Sequence, residues 1–506
     1  YKTKDFSSGM SQEAIYPLAL ALENKVIKPK TKDSIITLKK IIKSGAIYSL
    51  DTQNYNGSVD DYFPFEQASG ATAFSSYALI NCLEMKAFEM SNKYHEKFKR
   101  RLYWLSTHYE TGRLSNHEAL ISLVLAKSSK FYKSEILLKR AYERVERLLK
   151  WRSKEGWFEE YGGFDLGYET LTFSCLAEIS KLLPSLKSSL FTIIKKNADL
   201  ILSCIEPDYC CGGELYSRGT WNFFSHGLLN YLIKNNPNKL PLLLKVIEAR
   251  FDKYLINVQD DYIIQHHLWS DLLSLKSLKR ISTKNYSLIT QKDIKSLSKK
   301  KIFINNFLEK SGHLFITHGN YKTHVSIKMG GLFRTYKNKK LVTQETQNIL
   351  KIKNNFLMAN SLNNQISWEW LSENHLILKG NLSKYKKSKM NTIKLIILRI
   401  IMISIGKFVP NIIRYFMQQV LIKPQFEVNR SFKREFIFME DALQVKDKYY
   451  LIKNDIKDVT IINTSFNTFK HVVMSRIFHP YLFFINSPKY NKVLKNKKNL
   501  YIRREW

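Results

Sequence analysis

The sequence predicts an α+β multidomain protein, with an N-terminal incomplete (α/α) toroid over residues 1–280 and a C-terminal antiparallel β-sandwich over residues 281–506. Three observations predict it. About a dozen amphipathic helical patterns alternate with loops before residue 280. Loops rich in glycine, aromatics and acids recur at every second connection, at spacings too irregular for an array of fixed-length repeats. After a Lys/Ser-rich stretch at 281–301 the texture changes to short runs of alternating β-branched and aromatic residues. Helical hairpins whose decorated loops emerge on one side describe a ring with a cleft at its loop-rich end. Alternating runs bounded by turns describe a sandwich.

The richest loop is 154–170, with Glu159, Glu160 and Asp165 among its acids, Trp157, Tyr161 and Tyr168 among its aromatics, and four glycines between helical patterns. Glycine permits φ > 0 and close approach of backbone to a ligand, and functional groups concentrate on loops held by a rigid scaffold. Flat apolar faces beside carboxylates suit a sugar. The alternative is a glycine-capped helix end followed by an acidic N-cap.

Earlier in the chain, 11–46 holds two helical patterns. The turn-rich stretch 51–66 then carries Asp60, Asp61, Tyr62 and Glu66, and a helix is expected after Pro64. Another helix follows at 93–108. Ser115 or Asn116 is expected to cap the next, with Glu118 completing a capping box if the cap is Ser115. Helices are expected at 131–151, 168–183 and 187–205. The loop from Pro207 contains Cys210, Cys211, Glu214, Ser217, Arg218 and Trp221, and it opens a helix at 226–234 that begins with His226. A further helix is expected at 238–255. The polar segment Asp260–His267, with His266, is expected to precede a last helix near 268–280.

In the second part, strands are expected at 313–318, 321–328, 332–336, 366–371, 375–379, 425–439, 444–453, 457–463 and 469–476. A helical insertion near 384–423 interrupts them. Its apolar run carries Lys394 and Arg399, too short and too charged for a transmembrane span. Basic flanks on an apolar helix fit either peripheral membrane contact or an insertion packed on the sandwich, and packing on the sandwich is the expectation.

Net charge is +36, unevenly placed: residues 281–506 hold 41 Lys/Arg against 13 Asp/Glu. That asymmetry points to a polyanionic partner. No nucleic-acid-reading motif accompanies it, so an acidic glycan or an anionic membrane ranks above nucleic acid. Five cysteines (Cys82, Cys175, Cys204, Cys210, Cys211) at irregular spacing argue against a disulfide framework, and the vicinal pair makes neither a CxxC nor a zinc knuckle. The first residue is Tyr1 rather than Met, which leaves a removed signal peptide open and the compartment undecided between cytoplasm and cell envelope.

With the polar loops at Asn116-His117, Tyr161 to Tyr168 and Ser217-Arg218, the chain resembles the heparinase II/III-like polysaccharide lyases. The resemblance covers nearly the whole chain as architecture and only a few residues as motif. It implies an acidic polysaccharide across the toroid mouth, roofed by the sandwich, with no cofactor. It implies that Asn, His or Arg neutralises a uronate carboxylate and that Tyr or His removes the C5 proton. Donors aimed at developing charge are usually the largest catalytic term, and a base in hydrogen-bond reach supplies the rest. Asn116 and Arg218 are the candidate carboxylate binders. His117 or His226 is the candidate base, and Tyr168 or Tyr161 the candidate acid. Candidate substrate contacts are Asp60, Tyr62, Glu66, Trp157, Glu160, Tyr161, Asp165, Glu214, Trp221 and His266. Against these, Asn116 is also a helix cap, Arg218 also a structural partner for Glu214 or Asp165, and His226 also a core histidine. The family's His-rich, Asp-containing sandwich motif survives only as His318 and His324 without the aspartate, so no metal is expected.

Three other readings stand beside β-elimination. A uronyl C5-epimerase begins with the same proton abstraction. A glycoside hydrolase would need two carboxylates across a sugar, drawn from Asp60 or Asp61 with Asp165 or Glu214. A non-catalytic, membrane-associated glycan-binding protein would use 384–423 as its anchor.

Overall fold

A computed structural model describes residues 7–28, 31–110, 112–252, 261–279, 302–345, 349–359, 365–385, 392–421, 427–452, 455–462, 492–495 and 499–506. The stretch 280–301, Lys386, Lys387 and the strand expected at 469–476 lie outside the described residues. The fold is an incomplete (α/α) toroid followed by an antiparallel β-sandwich. The first part contains α1 (Ile15–Glu23), α2 (Lys32–Asp51), α3 (Ser69–Glu84), α4 (Asn92–Thr107), α5 (Ser115–Tyr132), α6 (Glu135–Leu149), α7 (Leu166–Leu182), α8 (Lys187–Ser203), α9 (Ser225–Asn235), α10 (Leu240–Asp252) and α11 (Asp261–Leu278). The odd-numbered helices form an inner ring, each packed on the next, and α11 returns to α1. The even-numbered helices pack outside it.

Residue pattern separates the two layers. Outer α6 buries one stripe, Leu137, Ala141, Arg144, Val145 and Leu148, at helical period. Inner α3 buries every residue from Ser69 to Leu83. Its small side chains let neighbouring backbones approach, and its hydroxyls turn back to the helix. Thr72 donates to the Ala68 carbonyl at 2.7 Å and Ser76 to that of Thr72 at 2.6 Å. Gly70 marks a close approach, since a Cβ there would lie 2.5 Å from the His117 ring.

Several local expectations change. The helix after Pro64 starts only at Ser69, because Phe65 (φ 62°) and Gln67 (φ 53°) adopt left-handed conformations that a helix cannot continue. Neither Ser115 nor Asn116 caps α5; Leu114 is the N-cap, and Glu160 from a distant loop accepts the Asn116 backbone N–H at 2.9 Å. Glu118 completes no capping box and instead pairs with Arg144 at 2.9 Å and Arg147 at 3.1 Å. The last helix begins at Asp261, so His266 sits on it rather than in a preceding loop.

A buried acid in α7 links the ring to pH. Glu169 accepts from the Phe158 N–H at 3.0 Å and from Asn197, and burial pushes its carboxyl up to about 8. A raised acid is protonated in the folded state while still ionised in the unfolded one. Its effect on stability is therefore nil below the ordinary value of 4.5, and stability is lost as pH rises from there through about 8. Urea unfolding between pH 5 and pH 9 is expected to show wild-type stability falling with pH. Glu169→Gln should flatten that slope and be the more stable protein at the alkaline end. Parallel profiles for the two proteins would contradict the assignment.

The second part contains β1 (Ile302–Leu308), β2 (His313–His318), β3 (Tyr321–Ser326), β4 (Leu332–Lys337) and β5 (Lys340–Glu345), a five-stranded antiparallel sheet in that order. β6 (Ile349–Ile352), β7 (Asn355–Met358), β8 (Ile366–Ser372), β9 (His375–Tyr385), β10 (Glu427–Phe438), β11 (Leu443–Tyr450), β12 (Val459–Ile462), β13 (Lys492–Lys495) and β14 (Asn499–Glu505) form the other. Its order is β12-β6-β7-β9-β10-β11-β14-β13, with β8 added to β9. Between β9 and β10 the chain forms α12 (Thr392–Ile401) and α13 (Pro410–Leu421). One side of this insertion is uncovered, with Ile393, Ile400, Phe408 and Phe416 all more than 60% exposed, while Leu398 and Met402 are buried.

Inward-facing residues join the sheets. Leu314, Ile316, Val325 and Phe333 of the smaller sheet meet Leu376, Phe436, Phe438 and Val445 of the larger. Farther along the same face, three charged residues of the larger sheet and Glu345 of β5 replace the hydrocarbon. Arg434 donates to Asp447 at 2.6 and 3.0 Å and to Glu345 at 2.6 Å, and Arg504 pairs with the same two acids. All four side chains are at most 2% exposed. Arg434 also donates to the Gly331 carbonyl at 2.8 Å.

The sandwich is pinned to the toroid by polar groups of β3 and β4. Ser326 donates to the Leu215 carbonyl at 2.7 Å, and Arg334 donates to Glu214 at 3.1 Å and to the Gly212 carbonyl at 3.0 Å. His324 Nδ1 lies 2.6 Å from Glu206, and its Nε2 lies 2.9 Å from His313 Nδ1. Gly213 (φ 94°) is required here, since a Cβ would fall 2.5 Å from an Arg334 nitrogen and 2.7 Å from the Trp221 ring.

Candidate active site

The loops preceding α3, α5, α7 and α9 meet at one end of the ring, and one carboxylate organises the meeting. Glu160 is fully buried. Its Oε1 accepts from Ser115 Oγ at 2.9 Å, the Asn116 N–H at 2.9 Å and Asn116 Nδ2 at 2.6 Å. Its Oε2 accepts from Arg218 Nη1 at 3.1 Å. Two segments far apart in sequence are thus aimed by a single side chain from a third. Glu160, expected to touch substrate, is sealed beneath Asn116 and Arg218.

Arg218 is nearly buried, with its guanidinium 4.5 Å from the Tyr161 ring centre and 4.6 Å from that of Tyr168. Burial works against its charge, and Tyr168, Tyr161 and Glu160 outweigh burial, so it is held protonated above its ordinary value. Among the described residues its buried Nε has no hydrogen-bond partner, and neither does Asn116 Oδ1. Tyr161 adopts a left-handed φ of 49°, which a non-glycine residue takes only where surrounding contacts impose it. Tyr62 is 38% exposed and lies in the electrostatic field of Asp61, Tyr168, Glu66 and Arg218.

His117, the residue after Asn116, directs Nδ1 to Glu110 at 2.8 Å. A carboxylate on Nδ1 holds the proton there and leaves Nε2 as the basic nitrogen. Glu110 had not been singled out; its signal is its position one turn of loop ahead of His117. The His117 ring stands edge-on to Phe74, which also packs on His266 with ring centres 4.4 Å apart. His266 is buried and pairs with Glu13 at 3.2 Å. His226 belongs to another set inside the ring: Nδ1 lies 2.9 Å from Ser270, Nε2 lies 3.7 Å from Glu178, and Trp269 packs alongside. The two histidines expected to compete as base thus occupy different surroundings.

The remaining acids hold backbone. Asp60 accepts from Asn54 Nδ2 and from the N–H groups of Phe65 and Gln67. Glu66 accepts from the N–H groups of Asp61 and Tyr62, so the two acids shape the loop that presents Tyr62. Asp165 caps α7 through the Tyr168 N–H at 3.0 Å and ties in Thr220 and the Arg218 N–H. Burial pushes its carboxyl up, against the hydrogen bonds from Tyr168 and Thr220. Glu214 and Trp221 lie under Arg334 in the interface with the sandwich, where Arg334 sits 4.8 Å above the Trp221 ring.

Beside this cluster a cavity of about 610 Å³ opens between toroid and sandwich. Trp157, Gly162, Gly163 and Ser217 line it from the toroid, and Lys310, Ser311, His313 and Lys328 from the sandwich. Trp157 is held there by its indole N–H, which donates to Glu155 at 2.7 Å; Glu155 also accepts from the Lys310 N–H at 2.6 Å. The two lysines were missed from sequence. Lys310 precedes the turn at Gly312 (φ 77°) and Lys328 follows β3, and nothing local distinguishes them from other lysines of a basic domain. Among the described residues no group of three or more His, Cys, Asp or Glu side chains could hold a metal ion.

No family model matches the sequence, and no curated protein matches it. Heparinase III is similar in structure at a TM-score of 0.50 and 10% identity, over 89% of this chain and 64% of that one. A mutant chondroitin AC lyase of Streptomyces coelicolor aligns over 86% of this chain and 62% of its own at 8% identity and a TM-score of 0.45. A sugar epimerase from a ruminal bacterium aligns over 55% of this chain and 88% of its own, at 11% identity and a TM-score of 0.41. At such identities the likeness is one of fold. The chain has the lyase-like α/α-toroid fold that heparinase III displays.

Proposed function

We propose that the chain is a polysaccharide lyase acting on uronate-containing acidic polysaccharide by C5 proton abstraction and β-elimination. The observation that carries this reading is the buried Arg218 guanidinium with an unmet Nε donor, oriented by the same carboxylate that orients Asn116. A buried donor without a partner is costly, and a planar carboxylate is the ligand a guanidinium fork fits. Arg218 and Asn116 bind the uronate carboxylate and stabilise the charge that builds there as the C5 proton leaves. His117 Nε2 takes that proton. The C5–H electron pair becomes the C4–C5 double bond, the C4–O bond breaks, and Tyr168 or Tyr161 protonates the departing oxygen. Lys310 and Lys328 at the cavity hold neighbouring acidic units, and Trp157 stacks on a sugar ring.

Elimination is preferred to hydrolysis because Asp60 and Asp165 are occupied by backbone and side-chain donors and Glu214 by Arg334. An epimerase would use the same residues and return the proton to the other face. The likeness to heparinase III supports the toroid as the working scaffold. The test is ultraviolet absorbance of an unsaturated uronate during incubation with a panel of acidic polysaccharides. We expect a rise that His117→Ala abolishes. Hydrogen exchange at C5 in heavy water with no rise in absorbance would replace lyase by epimerase, and new reducing ends without the chromophore would replace it by hydrolase.

A further inference from the structure

We propose that α12 and α13, with the turn between them, form a peripheral membrane-docking element that seats on an anionic lipid surface. In an ordinary amphipathic helix the apolar side faces the protein. Here it faces out. At about 100° per residue, Ile393, Ile396, Ile397 and Ile400 share one side of α12, and Leu398 and Met402 lie on the other. Leu398 and Met402 are buried, whereas Ile393 is 67% and Ile400 62% exposed. Lys394 and Arg399 fall at the two borders of the isoleucine face. The apolar surface continues through Ile405 in the π-helical end of α12, Phe408 in the turn, and Ile412 and Phe416 in α13. Burying such side chains is favourable, so a contiguous patch of this kind marks an interaction site.

Charge identifies the occupant. Residues 384–426 contain nine Lys/Arg and not one Asp or Glu. A second copy of the same surface would set these cations against each other, whereas an anionic lipid surface neutralises them. Cations bordering an apolar face keep their charges in the headgroup layer while their stems lie along the acyl boundary. No helix among the described residues is long and apolar enough to cross a membrane, so the element lies in the plane of the surface. The inference is independent of the lyase reading and concerns a separate part of the sandwich.

The test is flotation of the full chain with vesicles of phosphatidylcholine alone and of phosphatidylcholine mixed with phosphatidylglycerol. The comparison is with a triple variant, Ile400→Glu, Phe408→Glu and Ile412→Glu. We expect flotation with the anionic vesicles only, weakened by salt and reduced more than about tenfold in the variant, with an unchanged thermal midpoint. Absence of flotation, equal flotation on both lipids, or a variant that floats like wild type overturns the proposal. So does a wild-type dimer, seen by sedimentation equilibrium without lipid binding, that the variant dissolves; that result would assign the face to a second copy.

Discussion

Arg218→Ala is expected to lower kcat/KM on the acidic polysaccharide by about 10²–10³-fold, the usual loss when one preorganised donor to a developing negative charge is removed. The variant should remain folded. Glu160 keeps its three hydrogen bonds from Ser115 and Asn116, and the backbone N–H of residue 218 still reaches Asp165. Arg218→Lys should recover only a small part of the loss, because an ammonium cannot offer the planar fork. Initial rates for the three proteins, with thermal unfolding as the control for folding, decide the matter. An alanine variant within a few fold of wild type would remove Arg218 from the reaction.

The largest stability effect is expected in the sandwich, where Arg434→Ala should cost about 3–5 kcal/mol, because it strips one member from a buried quartet and leaves a carboxylate undercompensated. Asp447 would lose a bidentate partner and Glu345 one of its two arginines. The double variant Arg434→Met, Asp447→Leu leaves Arg504 and Glu345 paired and should be less damaged than the single one. Urea unfolding of wild type, single and double variants tests this. A single variant within 1 kcal/mol of wild type, or a double variant whose loss is the sum of two singles, would show that the four charges do not act as a unit.

Much of the architecture was legible because it rests on periodicity. Helical stripes in 11–278 and strand alternation from 302 onward both follow from which residues must leave water, and burial is local in sequence. The loops at 51–66, 154–170 and 207–224 were legible because glycine, aromatics and acids together cannot continue a helix. The role of each acid in those loops was not. Glu160 reads like Glu159 beside it, yet Glu159 pairs with exposed Arg113 while Glu160 is sealed beneath Arg218. Alternation along β10 did carry a signal: Phe432, Arg434, Phe436 and Phe438 share one parity, which puts Arg434 on the core side. What it pairs with, Glu345 and Asp447 on other strands, depends on register and sheet order.

The sequence by itself determined the two secondary-structure regimes, the ring of hairpins, the basic second half and the set of loops from which a site could be built. Tertiary structure decided which side chains meet. It put Glu160 under Asn116 and Arg218, sent His226 into the ring, drew Glu214 and Trp221 to Arg334, and turned the isoleucines of α12 outward. The reason is physical. A helix or strand is specified by neighbours a few residues apart, whereas a buried charge is stable only where partners from distant segments converge on it, and that convergence exists only once the ring has closed.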